Sequence, residues 1–205
     1  HWIPAEVDVS IRKGWFYHAE EDTLVKTPEQ LFDIYLTSVG RGSTLLLNIP
    51  PDRRGRVHEI DSASLMGFRA LLDSTFKHDL ALNKPVQVSS FRGSDKKYAG
   101  TNLTDNNLET YWTTDDGTTT GSIEIDLGKT ETLNFIELQE YIQLGQRVKG
   151  FTIEVRINNS WQQVEMGTTI GYKRIIKLNG IEADAVRISI SDSKACPVIS
   201  KVSVY

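Results

Sequence analysis

The chain has 205 residues, of which 39% are hydrophobic and 24% are charged, and its formal net charge is −4. This composition is typical of a globular protein with its own apolar core, and the acidic balance argues against nucleic acid or an anionic membrane as a partner. The longest apolar runs, such as the leucines at 45–47, are far shorter than the roughly 20 residues of a membrane span. We therefore predict neither a membrane span nor a disulfide, since Cys196 is the only cysteine.

Residues 6–12, EVDVSIR, alternate strictly between polar and apolar side chains, which is the pattern of a β-strand with two different faces. The polar face carries Glu6, Asp8, Ser10 and Arg12. Two interpretations fit this pattern. The polar face of an antiparallel strand could meet solvent, or a barrel strand could turn its acids and its arginine towards a substrate pocket.

Residues 27–40 carry the start and stop signals of a helix. Thr27, Pro28 and Gln30 fit a capping box with proline in the first turn. Gly40 fits the end of the same helix.

The next segments are predicted to be a strand and a second helix. The apolar run STLLLNIPP at 43–51 is typical of a strand covered on both faces in a parallel sheet, and residues 62–76 repeat apolar side chains at helical spacing. Two strand–helix units cannot make a stable domain alone, but they would make the closing quarter of a (β/α)₈ barrel. We therefore expect the chain to continue a longer protein.

From about residue 85 the helical period disappears, and short alternating segments are separated by Gly, Asn, Asp and Ser turns. Strands are predicted within residues 85–91, 122–128, 132–141, 150–158, 185–193 and 197–205. This spacing favours an antiparallel β-sandwich. The predicted fold class is thus α/β plus all-β, with barrel elements in residues 1–82 and a sandwich in residues 83–205.

Two motifs, PAEVDVSIRKGWFY at 4–17 and SVGRGSTLLLNIPPDRRG at 38–55, resemble the C-terminal part of the catalytic barrel of glycoside hydrolase family 29, the α-L-fucosidases. The chain departs from the family pattern at residues 15–17 and 40–43, and both departures resemble the subgroup that removes α-1,3/1,4-linked fucose. The resemblance implies a retaining hydrolase that acts on fucosylated oligosaccharides. It also implies a secreted or periplasmic enzyme.

Retaining hydrolysis of glycosides needs two carboxyl groups about 5 Å apart. Nothing in the chain resembles the family's nucleophile motif, so the resemblance places the nucleophile in an upstream segment and predicts that the chain alone is inactive. The barrel residues of this chain would then form part of the wall of the substrate pocket. Trp15 would pack on the C6 methyl of fucose, unless it is a buried barrel aromatic. Glu6, Asp8 and Arg12 would bind substrate, unless Arg12 simply forms an ion pair with either acid.

The segment NLTDNNLETYW at 102–112 resembles a loop of discoidin, or coagulation factor 5/8 type C, domains, which overlap with carbohydrate-binding module family 32. This resemblance implies a structural calcium ion held by Asp105, Asn107 and Thr110, and no other cofactor. Lys201 stands where the family supplies a glutamate. We therefore expect the lysine to replace the ion and to neutralise Asp105.

Several single residues complete the predictions for the sandwich. Trp112 is expected in the core, because the family packs its motif tryptophan there. Cys196 is expected to be a small core residue. Tyr98 and Tyr141, together with Arg92, are candidates for binding sugar.

In the first part of the chain, Asn48 is expected to form hydrogen bonds within its loop or to support the pocket. His18, His58 and the acidic residues 20–22 are expected on the surface.

The alternative function is a non-catalytic carbohydrate-binding or adhesion module, whose first 80 residues form a helical adaptor. This alternative predicts that the sandwich alone binds glycans and that the first part folds without upstream sequence. If the chain belongs to a fucosidase, residues 1–82 should expose a large apolar surface that the upstream segment would cover.

Overall fold

The computed structural model describes residues 2–205, which form two compact units. The first unit comprises residues 4–77, and the second comprises residues 78–205 together with Trp2 and Ile3. Among residues 2–205, no helix has the length and apolar composition that crossing a membrane requires.

The first unit alternates strands and helices, in the order β1 (Glu6–Ser10), α1 (Pro28–Thr37), β2 (Thr44–Asn48) and α2 (Glu59–Thr75). The two strands are parallel, with Glu6 opposite Thr44 and Ser10 opposite Asn48. The predicted order of strand, helix, strand and helix is confirmed. Because the strands are parallel and in register, their carboxyl ends lie side by side.

Helix α1 begins as predicted. The Thr27 Oγ1 accepts a hydrogen bond from the Gln30 N–H, and the Gln30 side chain accepts one from the Thr27 N–H, so both halves of the capping box are present. The end of the helix differs from the prediction. A 3₁₀ turn at Val39–Arg41 follows, and the left-handed conformation falls on Gly42, with φ 83°, instead of on Gly40.

Only one face of the two-stranded sheet is covered. Val7 and Val9 are half-buried on one face, whereas Glu6 and Asp8 are exposed on the other. Leu46 lies on this open face and is 51% exposed. Residues 2–205 thus cover β2 on one face only, and the predicted cover on both faces stays a prediction for the longer protein.

The second unit is an antiparallel sheet protein, as predicted. Its strands are β3 (Val86–Val88), β4 (Trp112–Thr113), β5 (Gly121–Glu140), β6 (Val148–Ile157), β7 (Ser160–Gly167), β8 (Arg174–Ser193) and β9 (Val198–Val204). They are hydrogen-bonded in the order β4-β9-β5-β8-β6-β7, and β3 pairs with β5. The short strand β4, strand β7 and the first half of β8 were not predicted from the sequence.

The two long strands, β5 and β8, each take part in two layers of the sandwich. Their pairing is interrupted by a shift of register between Asp126 and Glu131. Before the shift, β5 pairs with β3 and with the later half of β8; after it, β5 pairs with β9 and with the earlier half of β8. The apolar side chains of both halves form one core cluster.

Trp112 is fully buried in this cluster, so its predicted core position is confirmed. Its indole N–H donates a hydrogen bond of 2.9 Å to the carbonyl oxygen of Ser90, which satisfies the one polar group of the ring. A Cβ atom at Gly121 would lie 2.8 Å from this ring. Glycine at that position therefore allows the close packing of β5 against Trp112.

Candidate functional site

The carboxyl ends of β1 and β2 form the candidate site, because the loops that follow the two strands meet there. Trp15 and Phe16 lie in the loop after β1 and are 49% and 77% exposed. In barrels of parallel strands, loops at this end of the sheet carry the binding and catalytic groups. Within this chain the Trp15 side chain is about half exposed, and its predicted contact with fucose stays a prediction.

The strand ends hold the backbone of this loop. The Asn48 side-chain amide donates hydrogen bonds to the Trp15 carbonyl oxygen at 3.0 Å and to the Ser10 Oγ at 3.1 Å. The Ser10 hydroxyl in turn donates to the Gly14 carbonyl oxygen at 2.7 Å. Asn48 therefore forms its side-chain hydrogen bonds with the end of β1 and the loop after β1, not within its own loop, and its support of the pocket stays a prediction.

Glu6 and Asp8 lie on the open face of the sheet below the loop and remain exposed. Within residues 2–205, no ion pair involves either of them. Their carboxylates are therefore available to a group that approaches this face. Their predicted role in binding substrate stays a prediction.

Arg12 does not share this open face. Strand β1 ends at Ser10, the alternation of faces stops there, and the Arg12 side chain is fully buried. Its guanidinium donates to Asp61 and to Asp22, each at 2.9 Å. The prediction that Arg12 pairs with Glu6 or Asp8 is wrong, because the chain turns between the strand and the arginine.

The acidic segment and the two histidines were predicted on the surface, and His18 and Glu20 are exposed there, whereas Glu21, Asp22 and His58 are half-buried. Asp22 lies in the 3₁₀ helix Ala19–Leu24 and is half-buried against Arg12, so it does not belong to a solvated loop. The Nδ1 of His58 accepts a hydrogen bond from the Ile60 N–H at the start of α2, and its Nε2 lies 3.7 Å from Asp22. His58 is thus a half-buried helix cap.

A cleft of about 370 Å³ opens beside this loop, and it is lined by Tyr17, Ala19, Asp52, Arg53, Arg54, His58 and Glu59. Arg54 donates to the Asp52 carboxylate at 2.6 and 2.9 Å and to Glu59 at 2.8 Å. The hydrogen bonds from Arg54 lower the pKa of Asp52 to about 2. Asp52 is therefore ionised at neutral pH, where it can accept hydrogen bonds but cannot donate a proton.

The predicted calcium ligands of the second unit lie in one turn. The Thr110 hydroxyl donates to the Oδ2 of Asp105 at 2.7 Å, and the Asn107 N–H donates to its Oδ1 at 2.8 Å. Calcium needs six to eight oxygen ligands. In the part of the chain that the structure describes, no group of three or more His, Cys, Asp or Glu residues could hold a metal. Asp105, Asn107 and Thr110 thus form hydrogen bonds with one another in this turn, and the calcium ion stays a prediction.

Lys201 does not neutralise Asp105, and that prediction is wrong. The pairing of β9 with β5 places Lys201 opposite Gln139, and its Nζ lies 3.6 Å from the buried carboxylate of Glu137. The turn around Asp105 satisfies that carboxylate without the lysine.

Three tyrosines and an arginine come together at one end of the sandwich. Tyr111 lies between Tyr98 and Tyr141, with ring centroids 5.5 and 4.7 Å away. The guanidinium of Arg92 lies 5.7 Å from the centre of the Tyr98 ring. We call these four residues the tyrosine cluster. The sequence suggested three of its members but missed the central Tyr111.

Cys196 is buried, as predicted, but its surroundings are not purely apolar. Arg92 and Arg147 donate to its Sγ at 3.2 and 3.0 Å, and Arg147 also donates to its carbonyl oxygen at 2.9 Å. The thiol therefore takes part in the arginine contacts at the edge of the tyrosine cluster.

Two protein-family models match this chain, one in each of the two parts that the sequence motifs indicated. Residues 3–74 match the family model of α-L-fucosidases, and residues 85–201 match the model of the F5/8 type C domain. The chain is similar to alpha-L-fucosidase 1 of Arabidopsis thaliana, with 36% identity over 208 residues that cover all of this chain and 41% of that protein. It thus spans about two fifths of the length of the curated relatives it matches.

Solved structures give the same result. A Ruminococcus gnavus GH29 fucosidase in complex with fucose is 38% identical and superimposes with a TM-score of 0.93 over all of this chain and 41% of its own. A chitosan-binding module from a Paenibacillus chitosanase/glucanase is 24% identical, with a TM-score of 0.56 over 62% of this chain and 98% of its own, and shares the fold alone. The chain therefore belongs to the F5/8 type C domain family through residues 85–201, and through residues 3–74 it is related to the α-L-fucosidases of glycoside hydrolase family 29.

Proposed function

We propose that the chain is the C-terminal part of a retaining α-L-fucosidase and supplies one wall of the fucose pocket. In this proposal, residues 1–82 are the last part of the catalytic (β/α)₈ barrel and residues 83–205 are a discoidin-like domain. The substrate is a glycan that carries α-1,3/1,4-linked L-fucose at a terminus. The nucleophile belongs to a preceding segment, and the chain alone has no activity.

The observation that carries the proposal is the accessible ring of Trp15 at the carboxyl end of two parallel strands. Fucose is a 6-deoxy sugar, so its C6 methyl offers an apolar surface to such a ring. The Asn48 amide donates a hydrogen bond of 3.0 Å to the Trp15 carbonyl oxygen, which holds the backbone of Trp15 at the end of the sheet. Glu6 and Asp8 lie on the open face of β1, where they can accept hydrogen bonds from sugar hydroxyls or face a catalytic carboxylate.

The exposed apolar side chains of the first unit support a partner segment that covers them. Phe16, Leu46 and Met66 are each more than half exposed, and Leu46 lies on the open sheet face. Exposed apolar area of this kind marks a contact surface. We propose that the preceding catalytic segment is that partner, and that the enzyme is secreted or periplasmic, where fucosylated glycans occur.

The test uses the polypeptide that joins this chain to the proposed catalytic segment. Trp15→Ala is expected to lower kcat/KM for release of α-linked fucose by roughly tenfold to hundredfold, because burying a large apolar side chain is worth about 1.5–3 kcal/mol. Trp15→Phe should retain most of the activity. Trp161→Phe, which changes a tryptophan of the second unit packed on Arg187, is the matched control and should change nothing. An unchanged kcat/KM in Trp15→Ala would contradict the proposal.

A second function, glycan binding by the sandwich, is favoured by one observation, the convergence of Tyr98, Tyr111 and Tyr141. Adjacent aromatic rings with an arginine at their edge offer apolar faces and hydrogen-bond donors to a sugar. Tyr111→Ala is expected to weaken binding of the chain to a glycan at least tenfold, or about 1.4 kcal/mol, in calorimetry. Tyr172→Ala, outside the cluster, is the control. If the chain binds glycans and the longer polypeptide releases no fucose, the binding module is the correct function.

A further inference from the structure

A buried polar cluster lies beneath the loop that presents Trp15. It consists of Arg12, Asp22, Asp61 and the ring of Tyr17, and we call it the Arg12 clamp. We propose that the Arg12 clamp is a positioning device: it fixes the backbone on the C-terminal side of Trp15 and thereby sets where the indole ring points. The effect on catalysis rests on the function proposed for Trp15, whereas the effect on the ring itself does not.

The clamp connects three separate segments. The Arg12 Nε donates to Asp61 in α2 at 2.9 Å, and the Nη1 donates to Asp22 at 2.9 Å and to the His18 carbonyl oxygen at 3.3 Å. The guanidinium also lies 4.6 Å from the centre of the Tyr17 ring. Residues 17, 18 and 22 are thus all held against one side chain, and that side chain is attached to α2.

The other side of Trp15 has its own attachments. Ser10 holds the Gly14 carbonyl oxygen at 2.7 Å, Asn48 holds that of Trp15 at 3.0 Å, and Lys26 holds the carbonyl oxygens of Ser10 and Arg12 at 2.6 and 3.3 Å. Trp15 and Phe16 are the residues between these two sets of contacts. Trp15 is 49% exposed and Phe16 is 77% exposed, so packing within this chain constrains their rings only in part and the backbone conformation contributes to their placement.

The buried ion pair of the Arg12 clamp adds little net free energy to the stability of the fold. Arg12 and Asp61 are fully buried, and burying an ion pair costs about as much desolvation energy as its attraction returns. In the described part of the chain, the Nη2 of Arg12 and the Oδ1 of Asp61 are buried without any hydrogen-bond partner. Such a pair contributes a specific conformation more readily than stability, and the conformation it specifies here is that of the loop carrying Trp15.

The test is ¹⁹F NMR of the 205-residue chain labelled with 5-fluorotryptophan, which has four tryptophans and thus four resonances. The double variant Arg12→Met/Asp61→Leu removes both charges and retains similar volumes. It should shift and broaden the Trp15 resonance, assigned with Trp15→Phe, and leave the other three unchanged. The control Arg69→Met/Asp73→Leu removes an exposed ion pair of α2 and should leave all four in place.

An unchanged Trp15 resonance in the folded double variant would overturn the proposal. If the first unit of that variant does not fold, which loss of hydrogen-exchange protection in β1 and α2 would reveal, Arg12→Lys provides the second test. It retains the charge but lacks the fork that reaches Asp22 and Asp61 together, so the Trp15 resonance should again move. A resonance that stays in place in Arg12→Lys would also overturn the proposal.

The KM and kcat of the longer polypeptide distinguish positioning of Trp15 from a purely structural role of the clamp. The double variant should raise KM for a fucoside by about tenfold with kcat nearly unchanged, because a misplaced Trp15 weakens binding of the substrate and of the transition state equally. An equal loss in kcat would contradict positioning through Trp15. If the unmodified polypeptide releases no fucose, the proposed function fails, while the NMR result still decides the role of the clamp.

Discussion

Asp61→Ala is expected to lower the free energy of unfolding of the first unit by about 3–5 kcal/mol. The change leaves the fully buried guanidinium of Arg12 with Asp22 as its only carboxylate partner, and an incompletely compensated buried charge is costly. Hydrogen exchange of the backbone amides in β1 and α2, measured in the longer polypeptide that includes the proposed catalytic segment, reports this loss directly. The amides of β5 and β8 in the second unit serve as the internal reference.

Two further variants make this expectation specific. Asp73→Ala removes the exposed partner of Arg69 and should cost less than about 1 kcal/mol, as exposed ion pairs usually do. Arg12→Met/Asp61→Leu removes both buried charges and should be close to neutral. A cost for Asp61→Ala as small as that of Asp73→Ala would mean that Arg12 finds solvent or another partner when Asp61 is lost.

Trp112→Ala should lower the free energy of unfolding of the sandwich by about 3–5 kcal/mol. The side chain is fully buried between the two layers, and its removal would leave a cavity and deprive the Ser90 carbonyl of its donor. Urea denaturation, followed by circular dichroism in the near ultraviolet, measures the loss in the whole chain.

The matched control is Trp161→Ala. This ring lies on the outer face of the sheet against Arg187, with 4.1 Å between the guanidinium carbon and the ring centroid, and it is only half-buried. Its loss should cost about 1 kcal/mol, because contacts between a cation and an aromatic ring are weak at the surface. Equal costs for the two variants would show that burial of Trp112 does not determine the stability of the sandwich.

Structural features that depend on residues close together in the sequence were predicted well. The capping box of α1 uses two residues three positions apart, and both of its hydrogen bonds formed. The alternation that starts at Glu6 correctly predicted β1, since side chains in a strand must alternate between faces. Alternation does not report where a strand stops, however, and the assignment of Arg12 to the polar face failed for that reason.

Contacts between distant residues could not be predicted. Arg12 finds its partners 10 and 49 residues away, and nothing in the local pattern distinguishes Asp61 from other acids on a helix. Tyr111 was missed because only the folded chain brings its ring next to those of Tyr98 and Tyr141. Lys201 was assigned a partner by resemblance, but the register of β9 against β5 placed it near Glu137.

The strands that were missed have a physical explanation as well. Strand β7 is a sheet edge rich in Gln and Glu, so its alternation between polar and apolar side chains is weak. The first half of β8 is separated from its second half by a shift of register, which breaks the regular period.

The shared strands β5 and β8 make the two layers of the sandwich dependent on each other during folding. Neither layer can assemble completely while these two strands are unpaired, so the layers should form and melt together in one cooperative transition. The partners of β5 also lie far along the chain, with Gly121 opposite Ile190 and Ile136 opposite Val204. Closing such long loops costs chain entropy before the stabilising contacts form, and this step is therefore slow. We expect this half of the chain to be the last to complete its structure after synthesis.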